Sequence, residues 1–177
     1  MSEPEEGGGG EETGIRVNER ELSVAEVAGL QTRYGVPPVA GEYWYDARSG
    51  MYGVIGQAGT GFMLPGHEFG PLERRCSGGR TGVLVNGREL PQLEWMIWSR
   101  VLGAAIHPGS YWLDADGNAG IEGSSVPAVN FVQSAARRGP VGADNFWSAR
   151  FGAGDHEADN QPGYVTVPGH GPVAYGF

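Results

Sequence analysis

Apolar and polar positions follow the same rhythm twice along this chain, over residues 13–47 and again over residues 81–115. Each stretch opens on a short run that predicts a strand. In the first, Val24, Val27, Leu30 and Tyr34 then recur at helical spacing and predict a helix with one apolar face. Ser23 and Glu26 form a capping box at its start, and Gly35 with Pro37 marks its end. In the second stretch the run 81–85 leads into an Asn86-Gly87 turn. Pro91 opens the helix that follows and Gly103 closes it. Leu93, Trp95, Met96, Ile97, Trp98, Val101 and Leu102 make this second helix apolar nearly all round, which predicts burial. The second unit is therefore expected at the centre, with the first packed outside it. Large rings alternate after each helix, in Gly41-Glu-Tyr-Trp-Tyr-Asp46 and Gly109-Ser-Tyr-Trp-Leu-Asp114. Each leads into a small polar turn and predicts an aromatic β-hairpin.

The shared rhythm is a duplication. At an offset of 68 residues the two stretches align without a gap, and 14 of their 35 positions are identical. Asn18/Asn86, Arg20/Arg88, Glu21/Glu89, Leu22/Leu90, Glu26/Glu94, Tyr43/Tyr111, Trp44/Trp112 and Asp46/Asp114 are among them. A weaker echo, Pro-Gly-His then Gly-Pro, closes each half near His67 and His170, although Pro-Gly pairs are also ordinary turn formers. The expected organisation is an acidic, Gly-rich disordered tail over 1–12 and one duplicated domain over 13–177. Repeat A covers 13–72, and repeat B covers 81–173 with an irregular insertion at 124–162. The fold class is α+β, β-rich, each half strand–helix–hairpin, with two short helices. In outline the Trp/Tyr hairpins resemble those of choline-binding cell-wall repeats. Helices intervene between the copies here, and no family is assigned.

Composition narrows the function. Apolar residues make up 40% of the chain, and five Trp, seven Tyr and six Phe supply large burial units. The net charge of −9 disfavours contact with phosphate backbones, so no nucleic acid is expected. All 12 cations are Arg, which excludes a Schiff-base lysine, a Walker A lysine and a kinase-type phosphate lysine. The sequence has neither a secretory pattern nor an apolar run long enough to span a bilayer, so no membrane contact is expected. Together with a lone Cys76, this makes a cytoplasmic location the expectation.

Few motifs carry chemistry. Asp114-Ala-Asp116-Gly-Asn118 opens like a calcium loop but lacks the later glycine and glutamate, and reads as a turn. The glycines of 56–61 lead into Pro65-Gly66 rather than a helix, so no dinucleotide fingerprint forms. Cys76 beside Arg74-Arg75 lacks the downstream Arg of a phosphatase loop and reads as structural. His67, His156 and His170 would give a metal or acid–base set only if the loops brought them together. No metal site and no cofactor are expected. The expected function is a non-catalytic binding module whose candidate contacts are Tyr43, Trp44, Asp46, Tyr111, Trp112 and Asp114, with the insertion beside them. Its ligand would be a protein, a small molecule or a carbohydrate. The alternative is a hydrolase-like or metal-assisted enzyme built on the loop histidines.

Overall fold

Each repeat closes a five-stranded sheet in the same order, and the residues that recur in the sequence are those that hold it. The computed structural model describes residues 12–137, 164–166, 168 and 172–174. Repeat A runs β1 (Ile15–Val17), β2 (Arg20–Glu21), α1 (Val24–Tyr34), β3 (Gly41–Tyr45), β4 (Met51–Val54) and β5 (Gly59–Phe62). Repeat B runs β6 (Val83–Val85), β7 (Arg88–Glu89), α2 (Gln92–Leu102), β8 (Gly109–Leu113), β9 (Asn118–Ile121) and β10 (Val129–Asn130). The sheet orders are β2-β1-β3-β4-β5 and β10-β9-β8-β6-β7. In each, the first strand (β1 or β6) pairs parallel with the strand after the helix (β3 or β8), and the other pairings are antiparallel.

The identities have a physical reason. Asn18 and Asn86 sit at positive φ, 52° and 51°, where the short amide side chain tolerates the left-handed turn. Each amide then clamps the hairpin strand. Asn18 Nδ2 donates to the Tyr45 carbonyl at 2.9 Å and Asn86 Nδ2 to the Leu113 carbonyl at 2.8 Å. The Tyr45 and Leu113 amides return bonds to the same side chains. Thr13 and Thr81 hydroxyls each donate at 2.7 Å to the carbonyl of Leu22 or Leu90. Tyr43 and Tyr111 hydroxyls each donate at 2.7 Å to the carbonyl four residues back, Val39 or His107.

The alternation of strand side chains sorts the residues of β3 and β4 into two cores. Tyr43, Tyr45 and Tyr52 pack with Leu30 and Tyr34 of α1, and with Met63 and Phe69. Trp44 and Met51, on the opposite face, pack with Val85, Leu90, Trp98 and Leu113 of repeat B. Sheet A is thus covered by its own helix on one face and by repeat B on the other. Trp44 lies flat across the next strand because Gly53 is opposite: a Cβ there would stand 2.7 Å from the ring. Gly120 serves Trp112 in the same way.

Two expectations need correction. The second helix is not buried all round: Leu93 and Met96 are exposed, whereas Glu94, Trp98 and Val101 are buried. Glu94 can be buried because Arg88 pairs with it, and a buried ion pair is invisible to hydropathy. The insertion, read as irregular, carries a third short helix, α3 (Phe131–Arg137), packed on α2. Its start is capped by Asn130, whose side-chain oxygen accepts from the Gln133 amide at 2.9 Å. Two further strands, β11 (Tyr164–Thr166) and β12 (Pro172–Ala174), form a hairpin. The Val39 amide donates to the Pro168 carbonyl between them, so the closing echo of repeat B packs beside repeat A. No helix among the described residues is long and apolar enough to cross a membrane. The tail, apart from Glu12, lies outside the described residues, as do His156 and His170.

Candidate functional site

The six candidate contact residues divide sharply between the repeats. In repeat A all three face inward. Trp44 has no exposed surface, its Nε1 donates to the Gln57 carbonyl, and the Arg88 guanidinium of repeat B stacks 3.9 Å from its ring centroid. Tyr43 is buried against α1. Asp46 is buried too, accepting from the Arg48 amide, the Ser49 hydroxyl and, across the repeat boundary, Asn86 Nδ2 at 2.7 Å. These contacts join the repeats.

Repeat B differs. Tyr111 is half-buried and Asp114 partly exposed, whereas Trp112 is buried, with its Nε1 donating to the Ser124 carbonyl. The insertion therefore begins directly beside Trp112. The Asp114 carboxylate accepts from the Asp116 and Asn118 amides at 2.9 Å each and closes a turn. Arg48 of repeat A lies 5.2 Å from the Trp112 ring centroid and 3.8 Å from Glu122.

Tyr111 and Trp112 line an apolar cleft of about 280 Å³ on the second sheet. Its floor is Val83, Val85, Leu113 and Ala119, its sides are Trp98 and Leu102 of α2 and Phe131 of α3, and Ile121 and Val129 form an exposed rim. Sequence reasoning missed this cleft. The signal was nonetheless present in the positions at which the copies differ. Tyr34, Tyr45 and Tyr52 of repeat A stand where repeat B has Leu102, Leu113 and Ala119. In repeat A those phenol rings fill the same space, and the Tyr45 hydroxyl donates to the Leu64 carbonyl at 2.6 Å. Three smaller side chains in repeat B leave the space open among the described residues. A polar continuation of the cleft is lined by Asn130, Gln133, Ser134 and Arg137.

His67 and Cys76 hold structural positions. His67 Nε2 and the Tyr34 hydroxyl are hydrogen-bond partners, and that hydroxyl also accepts from the Leu64 amide. The imidazole stacks on Phe69, and burial with nearby Arg33 pushes its pKa down, favouring the neutral form. Cys76 is buried, and burial pushes its thiol pKa up to about 12, far from the thiolate a nucleophile needs. Among the described residues no group of three or more His, Cys, Asp or Glu is placed to hold a metal ion.

The chain is similar to two Arabidopsis thaliana proteins. It is 33% identical over 121 residues to extra-large guanine nucleotide-binding protein 2, across 66% of this chain and 14% of that protein. It is also 33% identical over 113 residues to extra-large guanine nucleotide-binding protein 1, across 62% and 13% respectively. The chain therefore spans about one seventh of the length of these curated relatives. No family model matches the chain. No solved structure matches it either.

Proposed function

We propose that residues 13–177 act as one non-catalytic protein-interaction module, in which repeat A is the closed scaffold and repeat B presents the binding cleft. One observation carries this reading: the same pocket is built twice, filled by tyrosines in repeat A and, among the described residues, left open in repeat B. An apolar cleft with a few polar groups at one end is the ordinary form of a binding site. Tyr111 and Trp112 are the candidate contacts that reach it, and the start of the insertion forms its border. Tyr43, Trp44 and Asp46 contribute by fixing the two repeats together.

The similarity to large guanine nucleotide-binding proteins fits an accessory segment better than a nucleotide site. A phosphate-binding loop of the G-protein kind needs a lysine, and this chain has none. The relation to only a seventh of those proteins supports a separable module that they share with this chain.

The test is selection from a random-peptide display library on the full chain, run in parallel on Ala119→Tyr. That substitution installs the ring that repeat A carries at Tyr52. The expected result is a set of peptides enriched by the native chain and absent from the filled variant, which should keep its thermal transition. Equal enrichment by both proteins, or none by either, would sink the proposal.

A further inference from the structure

The interaction reading leaves open what enters the cleft, and two observations narrow it. The first is internal: repeat A shows what this pocket holds when full. Its occupants are the phenol rings of Tyr34, Tyr45 and Tyr52, and repeat B lacks a ring at each of those places. The vacated space is bounded by the aromatic rings of Trp98, Tyr111 and Phe131 together with aliphatic side chains. Rings prefer such offset and edge-on neighbours, and a large flat side chain buries much area for the loss of few rotamers.

The second is charge. The chain carries 21 acidic residues against 12 arginines, yet among the described residues no acidic side chain lines the cleft or its polar continuation. His107 lies on the exposed rim at one end, and Arg137 closes the other beside the amides of Asn130 and Gln133. On so acidic a molecule Arg137 gives this mouth a locally cationic end. It would steer an anionic segment and repel a cationic one.

Resting on the interaction reading above, we infer that the cleft takes an aromatic side chain of a partner protein, presented in a segment with acidic neighbours. The ring enters between α2, α3 and the second sheet, and a carboxylate beside it meets Arg137. A cleft of this size holds one such anchor, and a single buried aromatic is the usual centre of a small interface.

The experiment is NMR of the full chain, following the methyl groups of Leu113, Ala119 and Ile121 during titration with capped synthetic peptides. An Asp-Glu-Trp-Glu peptide should shift these methyls, and the same peptide with Ala for Trp should not. A Lys-Lys-Trp-Lys peptide should bind at least about threefold more weakly at low salt, and Arg137→Glu should shrink that preference. Ala119→Tyr should abolish the shifts. If that variant does not fold, Ile121→Asp on the rim provides the same test, because that side chain is 62% exposed. Equal responses to the Trp and Ala peptides, or to the acidic and basic ones, would overturn the inference. So would nuclear Overhauser contacts from these methyls to Phe146, Trp147 or Phe151 in the free chain, since the chain would then fill its own cleft. If display selection yields cleft-dependent peptides without an aromatic or an acidic residue, the module reading stands and this one fails. If it yields none, both fail.

Discussion

Arg20–Glu26 and Arg88–Glu94 are the same ion pair made twice, 68 residues apart, with nearly the same geometry and opposite surroundings. The first has its closest contact at 2.8 Å, with side chains 42% and 35% exposed. The second is at 2.7 Å, with side chains 2% and 1% exposed. In repeat A the guanidinium also reaches the Glu68 carbonyl, and the pair otherwise faces water. In repeat B it lies under the other sheet. Arg88 also donates to the Ser77 hydroxyl and stacks on Trp44, while Glu94 also accepts from the Gly59 amide at 2.7 Å. A surface brace has become the joint between the repeats. The duplication copied the residues, and the stacking of one copy on the other changed what they do.

This comparison can be broken most severely at the buried pair. Arg88→Met should cost about 3–5 kcal/mol, because it strands Glu94 without a countercharge. Arg20→Met should cost less than about 1 kcal/mol, as exposed pairs do. Chemical denaturation of both variants measures the contrast, and similar losses would refute the distinction. Adding Glu94→Gln to Arg88→Met should recover part of the loss, because the unpaired charge goes with it.

A smaller effect sharpens the contrast at the two glycines beneath the tryptophans. Gly53→Ala would place a Cβ 2.7 Å from the Trp44 ring and 2.8 Å from the Ala58 carbonyl oxygen, inside the joint between the repeats. It should cost about 1–3 kcal/mol by overpacking. Gly120→Ala would meet the Val126 carbonyl at 2.8 Å and the Trp112 ring at 2.9 Å, but Val126 lies in an exposed segment that can yield. Its thermal transition should fall by less than that of Gly53→Ala. The reverse order would mean that the Trp112 side is the more rigid one.

The smallest effect is a pH dependence at the exposed pair. The Arg20 side chain hydrogen-bonded to Glu26 holds that carboxyl down at about 2, against an ordinary 4.5. A carboxyl depressed in the folded state stabilises fully above its unfolded value, and that contribution fades as pH falls from 4.5 toward 2. Glu26→Gln should therefore flatten the acid limb of stability in that window, with a small loss at neutral pH, under about 1 kcal/mol for so exposed a pair, that disappears by the acid end. An unaltered acid limb would show that the pair is too screened by solvent to matter.

Much of the fold was legible because its determinants are local. The capping box at Ser23, the left-handed Asn86-Gly87 turn and the alternating rings of the hairpins act over a few residues, and the repeat exposed them twice. Less of the candidate site was legible. Tyr43/Tyr111 and Trp44/Trp112 look equivalent in sequence, yet only Tyr111 keeps a partly exposed face. The sequence pattern marks which side of a strand a ring occupies, but not what covers that side.

By itself, then, the sequence determined two copies of one strand–helix–hairpin unit, their turns, and the absence of any lysine chemistry. The tertiary structure decided which copy is closed and which, among the described residues, is open. That outcome depends on contacts between residues far apart in the chain. Repeat B covers Trp44 and leaves Arg20 in water, while tyrosines from α1, β3 and β4 together fill in repeat A a space that leucine and alanine leave open in repeat B. Burial is a property of neighbours, and the neighbours are set only when the two units stack.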